Sequence, residues 1–236
     1  MRYMIYALLL SAGVTILLGP VLVPLLKRLK FGQCERELGP KSHLTKQGTP
    51  TMGGLMFLFG ILAGTLAFSL SATELVLPAL LCTVGFALVG FLDDFLKVRC
   101  KNTVGLRAYQ KIIAQFLIAA IVAAYAYKSP FIGPKIYLAF SGLEWDLGVF
   151  YIPFIMFVII GTVNSVNLTD GLDGLSSGVT LIYSLTMGVI FLYLATAMKN
   201  PDGMAQAQQT QYAAELQSMG VFAAAVAGGC LGFLRY

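Results

Sequence analysis

Long apolar runs separated by short polar ones dominate the chain, without the two-residue alternation of strands over most of its length. Several runs approach or exceed the roughly 20 residues that cross a bilayer as a helix. Met4 to Leu26 carries no charge and outlasts the roughly 7–15-residue core of a signal peptide, so a retained span is expected. Seven spans are predicted: 4–26, 51–73, 75–92, 111–127, 148–166, 175–197 and 217–234. The fourth is short, with Tyr125 and Tyr127 at one end as interfacial anchors. After it, "KIYLAFSGLEWDL" alternates Ile136, Leu138 and Phe140 with Leu143, Trp145 and Leu147 about Ser141-Gly142. That pattern predicts a small β-hairpin on the membrane surface. "KNPDGMAQAQQTQYAAELQ" opens with a turn and continues as a polar stretch able to form a helix. The expected fold is all-α: a single polytopic membrane domain over residues 1–236.

Composition agrees. Of 236 residues 58% are hydrophobic and 11% charged, against about 25% charged in a soluble domain. Lysines and arginines sharpen the topology. Loops 27–50 and 93–111 hold Lys27, Arg28, Lys30, Arg36, Lys41, Lys46, Lys97, Arg99, Lys101, Arg107 and Lys111, whereas the opposite side holds Arg2, Lys128, Lys135 and Lys199. The positive-inside rule then puts the two basic loops in the cytoplasm and the amino terminus outside. No nucleic-acid partner is expected. Cys34, Cys82, Cys100 and Cys230 show no paired spacing and read as free thiols. A lone His43 with such scattered cysteines builds no zinc site.

The acidic residues change the picture most. Asp93-Asp94 in "GFLDDFLK" and Asp170 with Asp173 in "NSVNLTDGLDG" all fall at cytoplasmic ends of spans. Four carboxylates near the headgroup layer are costly unless something positive meets them. Magnesium suits them, because it takes carboxylate oxygens and keeps substrate phosphates as further ligands. Lys97, Arg99, Lys101 and Lys111 would neutralise a phosphate-rich substrate. Each piece also has a plainer reading. A DD pair commonly ends a solvated helix, and Asp-Gly commonly makes a turn. Basic loops also serve as topology signals or anionic-lipid contacts. The shared face favours function. "NLT" matches a glycosylation acceptor, but the derived topology places it inside.

Three motifs carry a resemblance: "PKSHLTKQGTPTMGG" (Pro40 to Gly54), "GFLDDFLK" (Gly90 to Lys97) and "NSVNLTDGLDGLSSG" (Asn164 to Gly178). In order and spacing they closely resemble the bacterial phospho-N-acetylmuramoyl-pentapeptide-transferases, within the polyprenyl-phosphate N-acetylhexosamine-1-phosphate transferases. The resemblance implies transfer of phospho-MurNAc-pentapeptide from its uridine diphosphate carrier to undecaprenyl phosphate. The products would be UMP and the first lipid intermediate of peptidoglycan. It implies a multi-pass protein of the bacterial inner membrane with a Mg²⁺-dependent cytoplasmic site, and it is compatible with a homodimer. By motif, Asp93 resembles the carboxylate proposed to deprotonate the lipid phosphate, with Asp94 beside it; both are also metal-ligand candidates. Lys111 resembles a lysine needed for activity. Asn164, Asn167, Asp170, Gly171 and Asp173 match the nucleoside and diphosphate side of the pocket. Lys46 and Thr51 would contribute from the first cytoplasmic loop, with Lys97 beside the aspartates.

Family members have ten spans and continue past "GGCLGFLRY" into a segment bearing a metal-binding aspartate, further uridine contacts and later a histidine-rich motif. The given residues hold about two thirds of the family's length, so an incomplete site is expected. Other polyprenyl-phosphate transferases and a non-catalytic fragment are competing readings. An ion-coupled transporter is a third, though it would want charges near the bilayer midplane and broken-helix repeats.

Overall fold

The computed structural model describes residues 1–28, 52–69, 72–99, 105–138, 141–170, 174–197 and 206–236. Among the described residues seven α-helices carry the fold: α1 (Arg2–Arg28), α2 (Gly54–Phe68), α3 (Val76–Arg99), α4 (Ala108–Lys128), α5 (Tyr151–Thr169), α6 (Leu175–Ala197) and α7 (Gln206–Phe233). Between α4 and α5 stand the strands β1 (Lys135–Tyr137) and β2 (Glu144–Asp146). They pair antiparallel with Ile136 opposite Trp145, so the expected hairpin is present. A short 3-10 turn, Gly148–Phe150, leads into α5.

The helices differ from the expected spans at their ends. Six are long and apolar enough to cross a membrane. The exception is α2, whose 15 residues rise about 22 Å at 1.5 Å per residue. That falls short of a roughly 30 Å hydrocarbon core, where the apolar run had suggested a full span over 51–73. Its helix closes at Ser69, whose backbone turns to φ −122° and ψ 20°. By contrast, α3 runs past residue 92 to Arg99, which puts the aspartates inside the helix rather than at its end. α7 begins at Gln206, so the polar stretch and the last apolar run are one helix.

Packing divides the bundle into two sets. α7 lies against α1, α2 and α6, and α1 lies against α2. Small residues make this set close. A Cβ on Gly228 would collide with the backbone of Leu8, and one on Gly64 would stand 2.7 Å from the Ala7 carbonyl oxygen. On Gly232 it would stand 2.8 Å from Thr15 Cβ. Ser11 Oγ donates 2.6 Å to the Ala225 carbonyl, and Thr15 Oγ1 donates 2.8 Å to that of Ser11. Close backbone approach with hydroxyl glue is the expected way to associate helices in lipid, where apolar side chains gain nothing by leaving one apolar medium for another. In the second set α4 packs between α3 and α5, and contact with the first set is light, through α2–α3, α3–α7 and α5–α6.

The chain reversals gather helix ends. At one end of the bundle, Leu75 N–H at the start of α3 donates 3.0 Å to Glu215 of α7, a carboxylate only 2% exposed. At the same end the Tyr125 hydroxyl donates to Glu74, and the Phe131 and Tyr212 rings stack. The opposite end collects the last turns of α3 and α5 with the first turn of α4.

Candidate active site

Why α3 continues through "LDDFLK" is readable in its charges. Asp93 and Lys97 stand four residues apart, Asp94 and Lys97 three apart, so all three project from neighbouring positions of one helical face. Lys97 Nζ lies 2.8 Å from Asp93 Oδ2 and 3.2 Å from Asp94 Oδ1. Those pairs neutralise a turn that would otherwise carry unpaired charge away from the apolar span.

The loop into α4 then returns over Asp93. Gly105 adopts φ +55°, and a Cβ there would come within 2.6 Å of Asp93 Oδ1 and 2.9 Å of the Asp93 carbonyl oxygen. Both the left-handed backbone and the close approach call for glycine. The turn aims Leu106 N–H at Asp93 Oδ1, at 2.9 Å. Two residues later α4 begins, with the Gln110 side chain accepting the Arg107 N–H at 3.0 Å. Lys111, in the first turn of α4, places Nζ 3.3 Å from Asp93 Oδ2. Asp93 is 6% exposed, and both its oxygens are taken: one by an amide, the other by two ammonium groups. A buried carboxylate is affordable only in such company.

One turn further along α4, Gln115 is buried at 3% exposure. Its Oε1 accepts from Asn164 Nδ2 at 2.9 Å. Asp93, Lys111, Gln115 and Asn164 thus form a polar seam across α3, α4 and α5. Asn167 and Asp170 follow on the last turn and cap of α5; both are exposed, and neither side chain is hydrogen-bonded among the described residues. Gly174 opens the next helix at φ +78°, its carbonyl accepting the Gly178 N–H at 2.8 Å.

Of the residues singled out in the sequence, Asp93, Asp94, Lys97 and Lys111 come together as one cluster, and Asn164 bonds to Gln115, one turn beyond Lys111 on α4. Asn167 and Asp170 make no direct contact with that cluster. Lys46, Thr51, Gly171 and Asp173 lie outside the described residues. Gly105 and Gln115 were not anticipated. Gln115 had a signal, a lone amide within the apolar "IIAQFLIAA"; a polar side chain at that depth wants a partner.

The glycosyl transferase family 4 model matches residues 76–236, the whole of α3 to α7 and the site just described. The chain belongs to this family. Residues 46–58 also match signature 1 of the phospho-N-acetylmuramoyl-pentapeptide-transferases, and curated members of that group align along nearly all of the chain. The protein of that name from Thermoanaerobacter sp. strain X514 is 47% identical over 92% of the chain and 62% of its own length. Those from Clostridioides difficile and Clostridium kluyveri are 42% and 41% identical, over 98% and 100% of the chain and 66% and 68% of their own lengths. The chain therefore spans 62% to 68% of the length of these relatives. Within the family 4 match, the Asp93 cluster occupies the turn from α3 into α4, and the Asn164 motif the end of α5.

Proposed function

We propose that the protein is a phospho-N-acetylmuramoyl-pentapeptide-transferase of the bacterial inner membrane, with its amino terminus outside and the Asp93 cluster at the cytoplasmic face. Its donor is UDP-N-acetylmuramoyl-pentapeptide and its acceptor undecaprenyl phosphate; a homodimer is the assembly that belongs to this reading. An oxygen of the lipid phosphate attacks the phosphorus attached to the sugar. A new phosphorus–oxygen bond joins the two phosphates, the bond to UMP breaks, and UMP leaves with the electron pair. One diphosphate replaces another, so the task is to bring two anions into line rather than to supply driving force.

The observation that carries this reading is the convergence of Lys97 and Lys111 on one buried carboxylate. Asp93 holds both ammonium groups at a single point, where an arriving phosphate meets them already positioned. The lipid phosphate, a monoester with a second pKa of about 6, is largely ionised at neutral pH. Asp93, enclosed and fully hydrogen-bonded, serves chiefly to hold the lysines, not to remove a proton. Asn164, Asn167 and Asp170 with Gly171 and Asp173 take the uridine diphosphate, Asp173 accepting the uracil N–H. The first residues of α6 turn their free N–H groups toward its phosphates. Lys46 and Thr51 contribute from the first cytoplasmic loop.

Magnesium dependence is part of the proposal. The described side chains do not by themselves fit the ion: among the described residues no three acidic, histidine or cysteine side chains cluster, and both Asp93 oxygens are engaged. Asp94, with a single ion-pair partner, is the better-suited ligand of the pair. The test is turnover of UDP-N-acetylmuramoyl-pentapeptide and undecaprenyl phosphate with Mg²⁺, run on the 236-residue chain and on a version extended to the length of its relatives. UMP release by the extended version, abolished by chelation and restored by Mg²⁺, is expected. An extended, folded protein that releases no UMP would overturn the reading.

A further inference from the structure

The Gln115–Asn164 contact fixes more than a distance. Asn164 Nδ2 lies 2.8 Å from the Ile160 carbonyl oxygen, one turn back on α5, as well as 2.9 Å from Gln115 Oε1. A backbone carbonyl can only accept, so the Asn164 atom facing it must be the amide nitrogen. The Gln115 atom facing that nitrogen must in turn be the oxygen. Both Asn164 N–H groups are then spent inside the protein. The atom left over is Oδ1, which takes no hydrogen bond among the described residues. A half-buried asparagine has been made into a pure acceptor.

We propose that Gln115 is a positioning residue for nucleotide-sugar binding: with the Ile160 carbonyl it holds the Asn164 amide nitrogen inward and leaves Oδ1 unspent, so that Asn164 recognises a donor, a hydroxyl or N–H of the nucleotide sugar. This rests on the proposed function, in which the Asn164 motif faces the nucleotide. Gln115 itself is buried and acts through Asn164. Its place one turn from Lys111 on α4 also means that the residue setting the amide and the residue set for phosphate share one rigid helix. The spacing between the two recognition points is thereby held by helix geometry rather than by a loop.

The length-extended enzyme provides the test. Gln115→Leu removes one of the two acceptors that hold the amide and leaves the Ile160 carbonyl as its single restraint. It should raise KM for the nucleotide sugar about 5–10-fold, the loss expected of one neutral hydrogen bond, while kcat and KM for the lipid phosphate stay within about 2-fold. Gln115→Glu keeps an oxygen at the same reach and should bind the nucleotide sugar within about 2-fold of wild type. Should the leucine variant not fold, Gln115→Asn, one methylene too short to reach Nδ2, carries the same expectation. Added to Asn164→Ala, either change should cost nothing further, since the residue it acts through is gone. Full additivity with Asn164→Ala would overturn the proposal, as would equal damage from Gln115→Glu and Gln115→Leu. A wild-type enzyme with no turnover is a different result: it removes the proposed function itself.

Discussion

The α1–α2–α7 set and the α3–α4–α5 set solve the same problem, holding helices together in lipid, by opposite means. In the first, glycines and alanines bring backbones into contact, and about 67% of the α7 span is buried. In the second, bulky apolar side chains face outward, only 6% of the α5 span is buried, and a few polar side chains tie the helices near their ends. Small-residue packing yields a surface with no vacancy for a ligand. Polar ties yield groups that can exchange one partner for another. The proposed site lies in the less tightly packed set, and the difference is visible in which residue types each helix spends on its neighbours.

Substitutions can break that contrast. Gly228→Val should have the largest effect, because its Cβ would meet the Leu8 backbone, which cannot step aside as a flexible side chain can. Overpacking of about 3 kcal/mol or more is expected, read as loss of a monodisperse peak in detergent. Asp93→Asn in the extended enzyme should leave the bundle folded but lower kcat at least about 100-fold, near 3 kcal/mol, with a much smaller rise in nucleotide KM. A purely raised nucleotide KM would move Asp93 into the nucleoside pocket. Gly105→Ala should cost about 1–2 kcal/mol through its left-handed backbone alone, plus the crowding against Asp93. It should depress activity more than thermal stability if the turn serves the site. Ser11→Ala should be the mildest, about 1 kcal/mol in the melting transition, with turnover unchanged. An activity loss there would show that the two sets are coupled.

How much of this was legible beforehand follows the same division. The apolar runs located all seven helices, because hydrophobic length is a direct physical requirement of crossing lipid. Their ends were harder. A charged pair stops an apolar run without stopping a helix, so the apolar run ends at residue 92 while α3 continues to Arg99, its continuation stabilised by Asp93 and Lys97 at helical spacing. The second span overshoots because residues 69–73, Ser-Leu-Ser-Ala-Thr, carry no charge to mark the point where Ser69 ends α2. In the site, the meeting of aspartates and lysines at one end followed from charge placement. Which lysine met which aspartate did not, since that depends on how the Gly105 turn folds back. The Gln115–Asn164 bond joins residues on different helices, and no local spacing foretells it.

Glu215 supplies a last consequence. Its carboxylate pins the first residue ahead of α3 at the end of the bundle remote from Asp93, and between these points α3 leans only lightly on the first set. In mechanical terms α3 is a beam clamped at one end and tethered at the other. The clamp is a buried charge against a helix start, which little can displace. The tether is the Lys111 ion pair and the Leu106 amide, both meeting Asp93 from the α4 side. On the proposed function, an anion that draws Lys111 away would loosen α3 at the Asp93 end and leave the Glu215 end held.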